Sequence, residues 1–206
     1  YARMFRMPLD KFVATNGSTL FFDTTPAYVV ETDTVPKRLT SLLPSIRVIV
    51  VFRDPTDRYR SELQMEVCRS RLFLSSMARE YHRHGQMRLY LTEQHPKKPL
   101  RRGLYADQLE IWFEFVSRDA LLILTSDELY SDPLTTAAKA LGFLGLAEVT
   151  PTGFTFNLHA PKNAACKKDM SSYLDESELA QLRTFYLEKN RRLPELAPGT
   201  VFPWLA

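Results

Sequence analysis

The chain reads as an α/β domain with a mostly parallel sheet flanked by helices, and three features predict it. Two short apolar runs, Val48–Phe52 and residues 120–124, have the continuous Val, Ile and Leu composition of buried strands. The first run ends in Asp54-Pro55, an N-cap residue followed by a residue suited to the first helical position. Helical patterns lie between and after the runs, and strands alternating with helices argue for parallel pairing.

Taken in order, residues 19–22 (Thr-Leu-Phe-Phe) read as a short strand, followed by the turn-prone Asp23-Thr24-Thr25-Pro26. Residues 35–43 fit a short helix with Pro36 near its start and Pro44 beyond its end. The strand Val48–Phe52 leads into a helix that runs from Pro55 into the seventies. Residues 79–102 are polar, basic and broken by Gly85, Pro96 and Pro99, which predicts a loop. Residues 103–116 place Leu104, Leu109, Trp112, Phe113 and Val116 at helical steps, an amphipathic pattern. After the second strand, Asp132-Pro133 opens a helix over the apolar 137–144 set, stopped by Gly145, and Glu176–Asn190 forms a last helix. No internal repeat or low-complexity tract appears, and 206 residues make one domain with a sizeable core.

Hydrophobic residues at 45% and charged residues at 25% are ordinary for a globular domain, and a formal net charge of +3 favours anionic ligands only mildly. No apolar run approaches the roughly 20 residues of a membrane span. Cys68 and Cys166 are the only cysteines, and one pair far apart in sequence decides nothing about compartment. His82 and His84 give a His-x-His without an acidic or cysteine partner at ligand spacing, so a metal site is not expected.

The informative segment is residues 53–61, Arg-Asp-Pro-Thr-Asp-Arg-Tyr-Arg-Ser. Arg53 falls at the carboxyl end of a strand, where open α/β sheets bind ligands. Arg58 lies about one turn into the helix, and Ser61 about 9 Å along it at 1.5 Å per residue. Two guanidiniums and a hydroxyl near one strand end suit a phosphate, because arginine offers forked donors to phosphate oxygens. Asp54 and Asp57 place negative charge in the first turn, so an anion belongs beside the helix rather than on its tip.

This Arg-Asp-Pro-x-Asp-Arg-x-x-Ser run resembles the 3′-phosphate motif of sulfotransferases that use 3′-phosphoadenosine-5′-phosphosulfate (PAPS). Gly103-Leu104-Tyr105 with Trp112, the 121–124 strand with Glu128-Leu129, Asp132-Pro133, Phe143-Leu144-Gly145-Leu146 and Leu182-x-x-Phe185-Tyr186-x-x-x-Asn190 are similar to the carbohydrate branch, glycosaminoglycan enzymes included. The resemblance runs from about residue 19 to residue 196. It implies a P-loop-NTPase-like fold, with Arg53 and Ser61 gripping the 3′-phosphate and Arg58 supporting them. It also implies an acidic acceptor base. Residues 23–28, Asp-Thr-Thr-Pro-Ala-Tyr, resemble the family's Glu-Lys-x-Pro-x-Tyr segment, which makes Asp23 the base candidate; Asp is one methylene shorter than Glu, and Thr24 replaces the lysine. Lys167 and Lys168 fall where relatives carry a basic loop over the cofactor phosphates, without the family's Lys-Gly-Arg form.

No Gly-x-x-x-x-Gly-Lys-Ser/Thr and no Lys-x-Gly-Thr-Thr pattern occurs, so the 5′-phosphosulfate loop of relatives is expected upstream of Tyr1, leaving the domain incomplete at its N-terminus. The implied reaction moves a sulfuryl group from PAPS to a hydroxyl or amine of a carbohydrate, a polyanionic glycan among the candidates, in the Golgi lumen. No nucleic acid, metal or membrane contact is expected. The rival reading is a non-catalytic module holding anionic glycans on the basic 79–102 loop. A P-loop kinase is disfavoured because no Walker lysine or Mg²⁺-ligand pattern is present.

Overall fold

The structure, a computed structural model, describes residues 22–69, 100–146 and 174–206. Their elements are α1 (Val35–Leu42), β1 (Val48–Phe52), α2 (Pro55–Arg69), a 3-10 turn (Arg101–Gly103) and α3 (Tyr105–Phe113). A second 3-10 turn (Arg118–Ala120) leads into β2 (Leu121–Thr125), followed by α4 (Ser126–Ser131) and α5 (Pro133–Phe143). The chain closes with α6 (Glu176–Asn190), α7 (Leu193–Leu196) and a 3-10 turn (Pro203–Leu205). The predicted strand–helix alternation is present, and two of the three predicted strands pair in parallel, with Val48 opposite Leu121 and Phe52 opposite Thr125. This register brings the carboxyl ends of both strands level, so Arg53 leaves the sheet beside Ser126.

The core forms where one face of this pair meets α3 and the C-terminal turns. Val50 and Phe52 from β1, and Leu121 and Ile123 from β2, pack with Leu109, Trp112 and Leu193. β1 differs from expectation. Its continuous apolar composition predicts burial on both faces, yet Val50 and Phe52 are buried while Ile49 and Val51 stay 36% and 51% exposed. Successive side chains of a strand point to opposite faces, and among the described residues packing covers only one of them. A second cluster joins Tyr59 of α2 to Leu179, Leu182 and Tyr186 of α6, with Leu100 and Leu174.

Several helix ends follow the sequence signals. Asp54 Oδ1 accepts from the backbone N–H of Thr56 at 2.7 Å and of Asp57 at 3.2 Å, the cap expected before Pro55. Thr125 and Glu128 form a reciprocal capping box that starts α4 directly from β2, and Asp175 and Glu178 do the same for α6. Gly145 ends α5 with φ of 78°, a left-handed conformation that glycine adopts without cost.

The start of α3 was not legible. The amphipathic pattern predicts a helix from residue 103, but residues 101–103 form a 3-10 turn and the helix starts at Tyr105. Its cap comes from 85 residues away: Asn190 Oδ1 accepts from the N–H of Tyr105 at 2.9 Å and of Ala106 at 3.2 Å. Asn190 Nδ2 donates to the Gly103 carbonyl at 2.8 Å. Gly103 itself lies so close to α6 that a Cβ there would sit 2.5 Å from the Tyr186 ring and 2.9 Å from Pro55. The predicted 19–22 strand is described only at Phe22, which is irregular and 82% exposed.

Candidate functional site

Arg53 is the first residue past the ladder of β1, and its backbone is held while its side chain is not. The Arg53 carbonyl accepts from the Tyr105 hydroxyl at 2.8 Å. Its guanidinium is 47% exposed and meets Asp57, one turn on, at a long 4.0 Å. Exposed pairs at that spacing are worth little, so the guanidinium can turn to a stronger anion. Asp57 and Ser61 are four residues apart on α2 and both are exposed, so Ser61 lies on the same helix face as Arg53's partner.

Arg58 faces the other way. Its Nη1 donates to Glu62 Oε2 at 2.5 Å, and Arg102 reaches Glu62 Oε1 at 2.9 Å, so one carboxylate ties α2 to the 3-10 turn before α3. Burial opposes the Arg58 charge, but the Tyr186 and Tyr105 hydroxyls and the Glu62 carboxylate facing it outweigh burial and raise its pKa. Arg58 is therefore a charged bracket beneath the strand end, and Ser61 and Arg53 are the exposed members of the motif. The Arg58–Glu62 pair was readable as an i,i+4 pair; Arg102, Tyr105 and Asn190 were not, because their contacts are set by tertiary packing.

Asp23 lies in an exposed turn before α1. Its Oδ1 accepts from Thr25 Oγ1 at 2.7 Å and its Oδ2 from the Tyr28 hydroxyl at 2.8 Å. These two bonds, Thr25's first, hold its pKa below the usual aspartate value, so it is a carboxylate at neutral pH. The turn is anchored on α3: Trp112 Nε1, on a side chain only 2% exposed, donates to the Val29 carbonyl at 3.1 Å. Tyr105 and Trp112 are seven residues apart, so the anchors of the Arg53 and Asp23 segments lie about 10 Å apart along one helix. Lys167, Lys168 and residues 79–99 of the basic segment lie outside the described residues.

The family model described as "Sulfotransferase domain" matches residues 23–195, a span that holds Asp23 and the whole 53–61 motif. The chain belongs to the sulfotransferase domain family. Among curated relatives, it is 27% identical over 197 residues to heparan sulfate glucosamine 3-O-sulfotransferase 6 of Mus musculus, covering 87% of this chain and 55% of that protein. It is 32% identical over 125 residues to bifunctional heparan sulfate N-deacetylase/N-sulfotransferase 4 of Mus musculus, covering 56% of this chain and 13% of that protein. The chain thus spans about half the length of the 3-O-sulfotransferase relatives it matches. A crystal structure of a sulfotransferase from Alicyclobacillus acidocaldarius shares the fold, with a TM-score of 0.59 at 20% identity over 87% of this chain and 65% of that one. Among the described residues, no three His, Cys, Asp or Glu side chains group as a metal site. No described helix is long and apolar enough to cross a membrane.

Proposed function

We propose that this chain carries the 3′-phosphate subsite and the acceptor base of a PAPS-dependent carbohydrate sulfotransferase. The observation that carries the reading is Arg53, backbone pinned and guanidinium exposed at the level carboxyl ends of the parallel pair. A mobile cation on a fixed main chain is what an anionic phosphate needs, and arginine forks match phosphate oxygens. Ser61 adds a hydroxyl on the same side of α2. Lys167 and Lys168, which lie outside the described residues, are assigned to the cofactor phosphates on the family resemblance alone.

When bound, PAPS supplies an activated sulfuryl group. Asp23 accepts the proton of the attacking acceptor group at a carboxylate oxygen, and its low pKa keeps it ionised for that task. Thr25 and Tyr28 orient that carboxylate through their hydroxyls. Arg53 and Ser61 fix the far phosphate, and positioning of this kind is a large part of catalysis in group transfer. The relatives act on heparan sulfate, which supports a hydroxyl or amine of a glycosaminoglycan-type carbohydrate as acceptor. The reading assigns the reaction to the Golgi lumen by family analogy alone.

Calorimetric titration of the whole protein with 3′-phosphoadenosine-5′-phosphate tests the reading. Arg53→Ala should lose affinity at least tenfold while its thermal unfolding stays close to wild type. Unchanged affinity in a folded Arg53→Ala protein removes Arg53 from the phosphate subsite.

A further inference from the structure

Three restraints converge on the strand end that projects Arg53. Before it, Phe52 is held in the ladder opposite Thr125. After it, Asp54 caps α2 through the N–H groups of Thr56 and Asp57. Between them, the Tyr105 hydroxyl takes the Arg53 carbonyl. That hydroxyl has little freedom. The Tyr105 ring stacks on Phe52 with centroids 4.1 Å apart and planes at 17°, and meets the edge of Trp204 at 6.5 Å. Its own N–H is fixed by Asn190. The residue is 3% exposed, and burial pushes its hydroxyl pKa up to about 12, which keeps it a donor across the physiological range. The Arg58 guanidinium faces the same hydroxyl.

We propose that Tyr105 is a positioning residue for the nucleotide subsite, fixing the backbone from which the Arg53 side chain leaves β1 so that its guanidinium can turn onto the phosphate. This rests on the reading of Arg53 given above. A fixed carbonyl fixes the backbone on which the side chain is mounted, and a misplaced mount weakens the phosphate contact that the side chain makes. Tyr105→Phe keeps the ring packing and removes the hydroxyl, and with it both its bond to the Arg53 carbonyl and its contact with Arg58. The nearby Tyr186 supplies a matched control: it too is buried, its hydroxyl faces Arg58, and it donates to a carbonyl, that of Leu100, at 3.0 Å.

The test titrates 3′-phosphoadenosine-5′-phosphate into the whole protein as wild type, Tyr105→Phe, Tyr186→Phe, Arg53→Ala, Arg53→Lys and the Tyr105→Phe/Arg53→Lys double variant, with thermal unfolding of each. An affinity about 3- to 10-fold lower is expected for Tyr105→Phe, the cost of a misdirected Arg53–phosphate contact; the lost hydrogen bond itself, present with and without ligand, shows in thermal unfolding. In sulfuryl transfer the same variant should raise KM for PAPS with kcat nearly retained. Tyr186→Phe should lower the unfolding temperature comparably and leave affinity unchanged. In the Arg53→Lys background the further loss should be below about twofold, because coupled residues are not additive. Unchanged affinity in Tyr105→Phe, equal losses in both tyrosine variants, or full additivity with Arg53→Lys overturns the positioning role. If Arg53→Ala itself binds normally, the phosphate subsite is wrong and the inference falls with it. If Arg53→Ala fails to bind and Tyr105→Phe binds as wild type, only the inference falls.

Discussion

Asp23 and Arg53 show how one residue's immediate partners decide what it can do. Both are exposed, but Asp23 has two hydroxyl donors on its carboxylate, whereas Arg53 has one distant acidic neighbour. The donors depress the Asp23 pKa, so the bonds contribute fully above its unfolded-state pKa and are lost as pH falls through the lower folded-state value. With Asp23 as the proposed base, the acid limb of kcat/KM is expected below the ordinary aspartate range. Replacing Thr25 by Val and Tyr28 by Phe together removes both donors and should move that limb to higher pH while transfer at pH 7 persists. A pH–rate profile of the double variant checks it, and an unmoved limb assigns the titration to another group.

At the scale of elements, α2 divides its labour between two faces. Asp57, Arg60 and Ser61 point outward, while Arg58 and Glu62 point toward α6 and the 3-10 turn and Tyr59 packs in the second cluster. Glu62 is the hinge of that inner face, being 14% exposed and paired with both Arg58 and Arg102. Removing its charge takes the carboxylate partner from a largely buried guanidinium. Glu62→Gln should destabilise the protein by about 2 kcal/mol, below the full cost of a buried pair because Arg102 is 40% exposed. Urea unfolding measures it, and the loss should shrink when Arg58 is replaced by Met in the same chain.

Across the whole molecule, α3 acts as the spine that holds both candidate site segments. Tyr105 at its start holds Arg53, and Trp112 two turns later holds Val29 and hence the turn that carries Asp23. The spine is itself fixed by Asn190, which is fully buried and joins α6 to the N–H groups of Tyr105 and Ala106 and to the Gly103 carbonyl. Asn190→Ala leaves three buried backbone groups without that partner, each costing about 1–3 kcal/mol when unmet. The expected loss is at least roughly 3 kcal/mol, read as a fall in the urea midpoint at unchanged slope. A loss below about 1 kcal/mol would mean that Asn190 does not hold α3.

The sequence by itself determined the two paired strands, several helix limits and the 53–61 motif, because these rest on local chemistry. Val48–Phe52 and Glu176–Asn190 were legible from composition and periodicity, and Asp54-Pro55 from capping and proline geometry. Arg53, Arg58 and Ser61 were visible as a phosphate pattern on one strand–helix junction. Tertiary structure alone decided which of them faces outward: Arg58 turns inward because Glu62, Tyr105 and Tyr186 meet there. It also decided the exposure of Ile49 and Val51, the late start of α3 and the hold of Tyr105 on Arg53. The last two join residues 52 and 85 positions apart, a separation at which periodicity and capping rules carry no signal. A hydrogen bond between distant segments depends on where packing places them, and only the folded chain sets that.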